Sequence, residues 1–160
     1  MQFTQSVSYP GTVDEVVAMY LTPAYLERRF GQFVVDGSST VSVEGERVSF
    51  AGTVRPELIP AAASRFVKSD LRIAFTEEWA TNEAGATSRT SVTVDGAPVS
   101  VEATSTLAPA DAGCIREVSG NLSVRVPLLG GRIEKEAVAH LGRVVEREQA
   151  LATQWLEEHR

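Results

Sequence analysis

The C-terminal stretch "GGRIEKEAVAHLGRVVEREQALATQWLEEHR" constrains the fold more than any other segment. At 100° per residue, Ile133, Ala137, Val138, Leu141, Val144, Val145, Leu151, Ala152, Trp155 and Leu156 share an arc of ~140°. A single apolar stripe on a helix of about thirty residues is ~45 Å long and needs an equally long apolar partner. The preceding chain supplies one. "QFVVDG", "TVSVE", "RVSFAGTV", "LRIAFTEEWA", "TSRTSVTVDG", "PVSVEATSTL" and "CIREVSGNLSVRV" are rich in Val, Thr, Phe and Ile. They are punctuated by Asp36-Gly37, Glu44-Gly45, Ala84-Gly85, Asp95-Gly96 and Ala112-Gly113, mostly hairpin signals. Spacings of roughly 8 to 14 residues suit an antiparallel meander.

The N-terminal part completes the order. "FTQSVSY" alternates as a strand and "YPG" stops it. Thr12 and Glu15 form a capping-box pattern ahead of a short helix over about Val13 to Leu21. Thr22 as a cap and Pro23 at the first helical position start a second helix, which Gly31 ends. "RPELIPAAASRF" interrupts the meander as a loop, and Leu58 to Phe66 within it has the character of a lid. The expected class is α+β: about seven strands in a curved antiparallel sheet around the long C-terminal helix, with two short helices after strand one, as one domain over residues 1–160.

This order resembles the helix-grip fold of the START-like (SRPBCC) superfamily, which includes the birch pollen allergen, polyketide cyclase/dehydrase-type proteins and lipid-transfer domains. The resemblance is carried by "YPGTVDEVVAMYLTPAYLERRF" as the paired short helices and "VPLLGGRIEKEAVAHL" as the strand-to-helix junction. A C-terminal amphipathic helix ending near a Trp, here Trp155, adds to it. More narrowly, the chain is similar to an actinobacterial family of that superfamily with no assigned function. The resemblance implies an apolar cavity enclosed by sheet and C-terminal helix. Its motifs are architectural, so they imply no activity.

Composition excludes several partners. A net charge of −6 opposes binding to nucleic acid or to an anionic membrane surface, which reward clustered Lys and Arg. No run approaches the ~18 apolar residues of a membrane-spanning helix, and "MQFTQSVSYP" has no signal-peptide pattern. One cysteine, Cys114, fits a cytoplasmic setting and reads as unreactive. With that Cys and two distant histidines, His140 and His159, no metal-ligand spacing is present; "LLGGR" lacks a P-loop Lys-Ser/Thr, and no cofactor is expected. His140 reads as a surface residue and His159 as frayed.

Two carboxylates break the helical stripe. Glu134 fits a helix start, where the dipole favours negative charge. Glu148 falls near the centre of the arc, with only Val144, Val145, Leu151 and Ala152 at helical spacing. It must be paired, hydrated or protonated. A strand arginine (Arg72 or Arg116), an exposed helix end, and a cavity that it lines all remain open. On "LRIAFTEEWA", Leu71, Ile73, Phe75, Glu77 and Trp79 share the inward face. Glu77 is thus a second carboxylate on an apolar face, either reaching water at the rim or bonding a ligand's head group. Arg28 and Arg29 are either solvated or a portal for an anionic head group.

The reading that follows is a carrier or sensor of a small hydrophobic or amphipathic molecule, lipid-like or polyketide-like. Glu148, Glu77, Phe75, Trp79, Leu141, Val144 and Trp155 are its expected contacts. A cyclase, dehydrase or hydrolase using a cavity carboxylate of raised pKa is the alternative. An interaction module with a filled groove is the third.

Overall fold

The computed structural model describes residues 1–59, 61–65, 67 and 70–160. The chain opens with β1 (Gln2–Tyr9), α1 (Val13–Tyr20), α2 (Pro23–Phe30) and a 3-10 turn (Gly31–Phe33). It continues through β2 (Thr40–Glu44), β3 (Arg47–Thr53), a 3-10 turn (Pro56–Leu58) and the short α3 (Ala61–Ser64). Then come β4 (Arg72–Asn82), β5 (Gly85–Asp95), β6 (Val99–Ala110), β7 (Gly113–Val124) and α4 (Gly130–Glu158). Seven strands form one antiparallel sheet in the order β1-β7-β6-β5-β4-β3-β2. β2 to β7 are a meander, and β1 closes its edge by pairing with β7, Gln2 opposite Asn121 through Tyr9 opposite Cys114. This is the helix-grip α+β arrangement that the element order implies.

α4 packs across β1 and β7 and meets α1 and α2. It starts directly against the end of β7, because at Gly130 a Cβ would stand 2.2 Å from the Val124 carbonyl oxygen. Glu134 Oε2 accepts the Val124 N–H at 2.9 Å. That bond holds the carboxyl below its usual value. The first break in the stripe therefore staples helix to sheet, which corrects the expectation of an interaction with the helix dipole alone.

At α1 the capping box forms as expected: Glu15 N–H donates to Thr12 Oγ1 at 3.1 Å and Thr12 N–H to Glu15 Oε1 at 3.0 Å. Thr22 does not cap α2 with its side chain; its hydroxyl donates to the Ala18 carbonyl at 2.7 Å, back into α1. Gly31 keeps a right-handed helical conformation, and the chain tightens into the 3-10 turn. "QFVVDG" is no strand. Its residues contribute the 3-10 turn and one bridge, Val34 opposite Val54, before the turn at Gly37 takes the chain away. Of the lid segment, Pro60 and Phe66 lie outside the described residues. Leu58, Ile59 and Ala63 line a separate apolar cavity of about 220 Å³ near Ile133, not the larger one described below.

Among the described residues the core has two buried clusters. One gathers Val7, Tyr9, Val16, Tyr20, Tyr25, Trp79, Leu107, Trp155 and Leu156. The other gathers Leu26, Val34, Val48, Phe50 and Phe75. Among the described residues no helix is long and apolar enough to cross a membrane.

Candidate functional site: a cavity between the sheet and α4

Between the inner face of the sheet and α4 lies a cavity of about 240 Å³. Its floor is made by alternate, inward residues: Phe3, Gln5, Val7 and Tyr9 of β1, Phe75 and Glu77 of β4, Thr90 and Val92 of β5, Val101 and Ala103 of β6, and Arg116 and Val118 of β7. Its roof is Leu141, Val144, Val145, Arg147, Glu148 and Leu151 of α4, with Arg29, Phe30, Gln32 and Phe33 closing one side. Space of about 240 Å³ thus remains between the side chains of sheet and helix, which weighs against a filled groove.

Glu77 is 1% exposed. Its Oε2 accepts from Arg116 Nη2 at 2.6 Å and Thr90 Oγ1 at 2.7 Å, and its Oε1 from Trp79 Nε1 at 3.1 Å. Burial pushes this carboxyl's pKa up, but Arg116 and Arg29 outweigh burial and hold it below the usual value. The expectation that Glu77 reaches water at a strand end is overturned. Burial likewise disfavours the charge on Arg116, and Glu77 overcomes it. Arg116 also donates from Nε to Ser105 at 3.0 Å and from Nη2 to Ser88 at 3.1 Å, and its guanidinium lies 4.9 Å from the ring centres of both Tyr20 and Trp79. One buried arginine thus ties β7 to β6, β5 and β4.

Glu148 meets neither Arg72 nor Arg116. Its Oε1 takes Arg29 Nη2 at 2.9 Å and the Tyr20 hydroxyl at 2.7 Å. Arg29 side chain is only 13% exposed, which corrects its reading as a solvated pair with Arg28. Burial disfavours its charge too; Glu148, Tyr20 and Glu77 prevail and raise it above an ordinary arginine. Arg28, by contrast, pairs with Glu158 at 3.0 Å over the Trp155 ring. Tyr20 hydroxyl also bonds that of Tyr9, whose pKa burial and then the Glu148 charge push up to about 12. The second break in the stripe is therefore an ion pair between α4 and α2, reinforced by tyrosines from β1 and α1. It leaves Glu148 17% exposed at the cavity.

Five of the seven expected contacts, Glu148, Glu77, Phe75, Leu141 and Val144, line the cavity. Trp79 and Trp155 do not. Trp79 stacks on Tyr20, and Trp155 meets Tyr25 and stacks on His159, which caps α4 rather than fraying. The sequence reading missed Tyr9, Gln32 and Arg147, and it weighed Arg29 only together with Arg28, as a solvated pair or a portal. A usable signal existed for Arg29, which is four residues after Tyr25 and three after Leu26, on the apolar face of α2. Cys114 is buried, and burial pushes its thiol up to about 11. His140 is exposed. Among the described residues no three His, Cys, Asp or Glu side chains are placed to hold a metal ion.

A family model described as "Protein of unknown function (DUF2505)" matches residues 4–156. Uncharacterised proteins of Mycobacterium tuberculosis and Mycobacterium bovis are 26% identical over 166 residues, covering 96% of this chain and 95% of theirs. Among solved structures, a conserved protein from Geobacillus kaustophilus superposes with a TM-score of 0.64 at 15% identity, covering 99% of this chain and 96% of that one. The di-domain ARO/CYC StfQ from the steffimycin biosynthetic pathway gives 0.62 at 11% identity, covering 99% of this chain and 51% of its own. Norcoclaurine synthase from Thalictrum flavum, in complex with dopamine and hydroxybenzaldehyde, gives 0.58 at 13% identity, covering 100% and 87%. These likenesses show the START-like fold.

Proposed function

The chain belongs to the DUF2505 family, and we propose that it binds a small hydrophobic or amphipathic molecule between the sheet and α4, as a carrier or sensor. The observation that carries this reading is the cavity itself: about 240 Å³, walled by Phe3, Val7, Phe75, Val92, Val101, Val118, Leu141 and Val145, with an ionised, hydrogen-bonded cluster at one side. An apolar chamber with a few fixed polar groups is the usual form of a small-molecule site. The norcoclaurine synthase complex holds two small aromatic molecules in a chain of this fold, which supports the reading by analogy.

Within it, Glu148 is one polar group that a ligand meets, because it keeps an accessible edge. Glu77 stands behind it, with both oxygens engaged. A general acid of raised pKa at Glu77 is opposed by the two arginines that pull its pKa the other way.

Native mass spectrometry of the protein taken gently from its own host tests the reading. The expected result is a discrete extra mass that is lost on denaturation and absent from the Leu141→Trp variant, whose indole fills the chamber. A bound mass undiminished in Leu141→Trp places the ligand elsewhere and contradicts the proposal.

A further inference from the structure

Among the described residues, three arginines line the cavity, Arg29, Arg116 and Arg147, against two carboxylates, Glu77 and Glu148. The chamber therefore carries one formal positive charge in excess, inside a chain whose net charge is −6. Arg116 is taken by Glu77 and Arg29 by Glu148. Arg147 is left. Its Nη1 donates to the amide oxygen of Gln32 at 2.8 Å, a neutral partner, and no carboxylate among the described residues pairs with it. Its own helix offers none either, since Arg143, Val144, Ala150 and Leu151 stand three and four residues away. Gln32 belongs to the 3-10 turn and Arg147 to α4, so their bond spans one side of the chamber beside Val144, which is 44% exposed.

Resting on the binding reading above, we propose that the ligand is an apolar molecule bearing one carboxylate, and that Arg147 receives that carboxylate in place of Gln32. A guanidinium binds a carboxylate through two parallel, charge-assisted hydrogen bonds, each roughly twice as strong as a neutral one. The amide contact is thus the weaker partner, and a carboxylate displaces it. One excess positive charge matches a monoanion; a phosphate dianion would leave a negative charge unmatched near Glu148. The volume of about 240 Å³ holds on the order of ten non-hydrogen atoms, from the ~30 Å³ that one water occupies. That is the size of a medium-length aliphatic acid or a small aromatic acid.

Calorimetric titration at neutral pH with two matched pairs, octanoate with 1-octanol and 1-naphthoate with 1-naphthalenemethanol, tests the proposal. In each pair that binds, the acid should bind about tenfold more tightly than the alcohol. Arg147→Gln should abolish that margin and leave alcohol binding unchanged, while Arg147→Lys should retain part of it. Arg147 is exposed, so both variants should fold, as circular dichroism will verify. Equal binding of acid and alcohol, or a margin that survives Arg147→Gln, overturns the proposal and leaves the cavity reading standing. No binding by any of the four probes overturns both.

Discussion

At the scale of single residues, ionised groups sit where an apolar stripe predicts none, and each is held by a partner from another element. Glu77 and Arg116 are the deepest pair. Replacing Glu77 by Gln leaves Arg116 charged and buried without its counter-ion, which costs about 3–5 kcal/mol. Urea unfolding of Glu77→Gln checks this, and a loss below ~1 kcal/mol would class the pair with exposed ones. The pH dependence has a definite sign. Because the folded carboxyl of Glu77 is held below its unfolded value, near 4.3, its contribution is present above that value. It is lost as pH falls through the lower folded one. Stability of the wild type should therefore fall more steeply below pH ~4 than that of Glu77→Gln. Tyr25 shows the converse case. Its buried hydroxyl has no hydrogen-bond partner among the described residues. Tyr25→Phe should leave stability unchanged or raise it by ~1 kcal/mol, read as a higher melting temperature.

Secondary elements were legible in the sequence wherever a period was sustained. The alternation of β4 placed Phe75, Glu77 and Trp79 inward correctly, and the 3.6-residue stripe gave α4 its length, about thirty residues against 29 in the structure. What failed was local. "QFVVDG" has strand-forming residues, but the chain meets the end of β3 for a single bridge and turns at Gly37, so no ladder propagates. Partners across elements were illegible, because spacing along one helix cannot say that Glu148 of α4 meets Arg29 of α2, 119 residues earlier. Close approach between strands was equally hidden. At Gly120 of β7 a Cβ would stand 2.6 Å from the Phe3 ring, 2.8 Å from Ala103 Cβ and 2.8 Å from the Glu102 carbonyl oxygen. Phe3 is part of the chamber wall. Gly120→Ala should thus destabilise by about 1–3 kcal/mol through overpacking, and should weaken octanoate binding by displacing that ring. Unchanged thermal stability would show that the wall yields freely.

For the molecule as a whole, a meander closed by β1 and crossed by α4 leaves an unfilled chamber, and the residues around it divide into two layers. Glu77, Arg116, Ser88 and Ser105 lock the strands behind it. Glu148, Arg29, Arg147 and Gln32 join α4 to α2 and its 3-10 turn at its side. Sheet curvature and a long helix were readable as a reason to expect a cavity; its volume and its charge were not, since both depend on side chains from separate elements, eight of them around the chamber, meeting in space. The measurement that tests the account most directly is a methyl-detected NMR titration of the selectively labelled protein with octanoate. Shifts should concentrate on Val92, Val101, Val118, Leu141, Val144 and Val145, which line the chamber, and spare Val16, Leu26 and Val48, which lie outside it. Shifts confined to methyls outside the chamber, or none at saturating octanoate, would contradict the account.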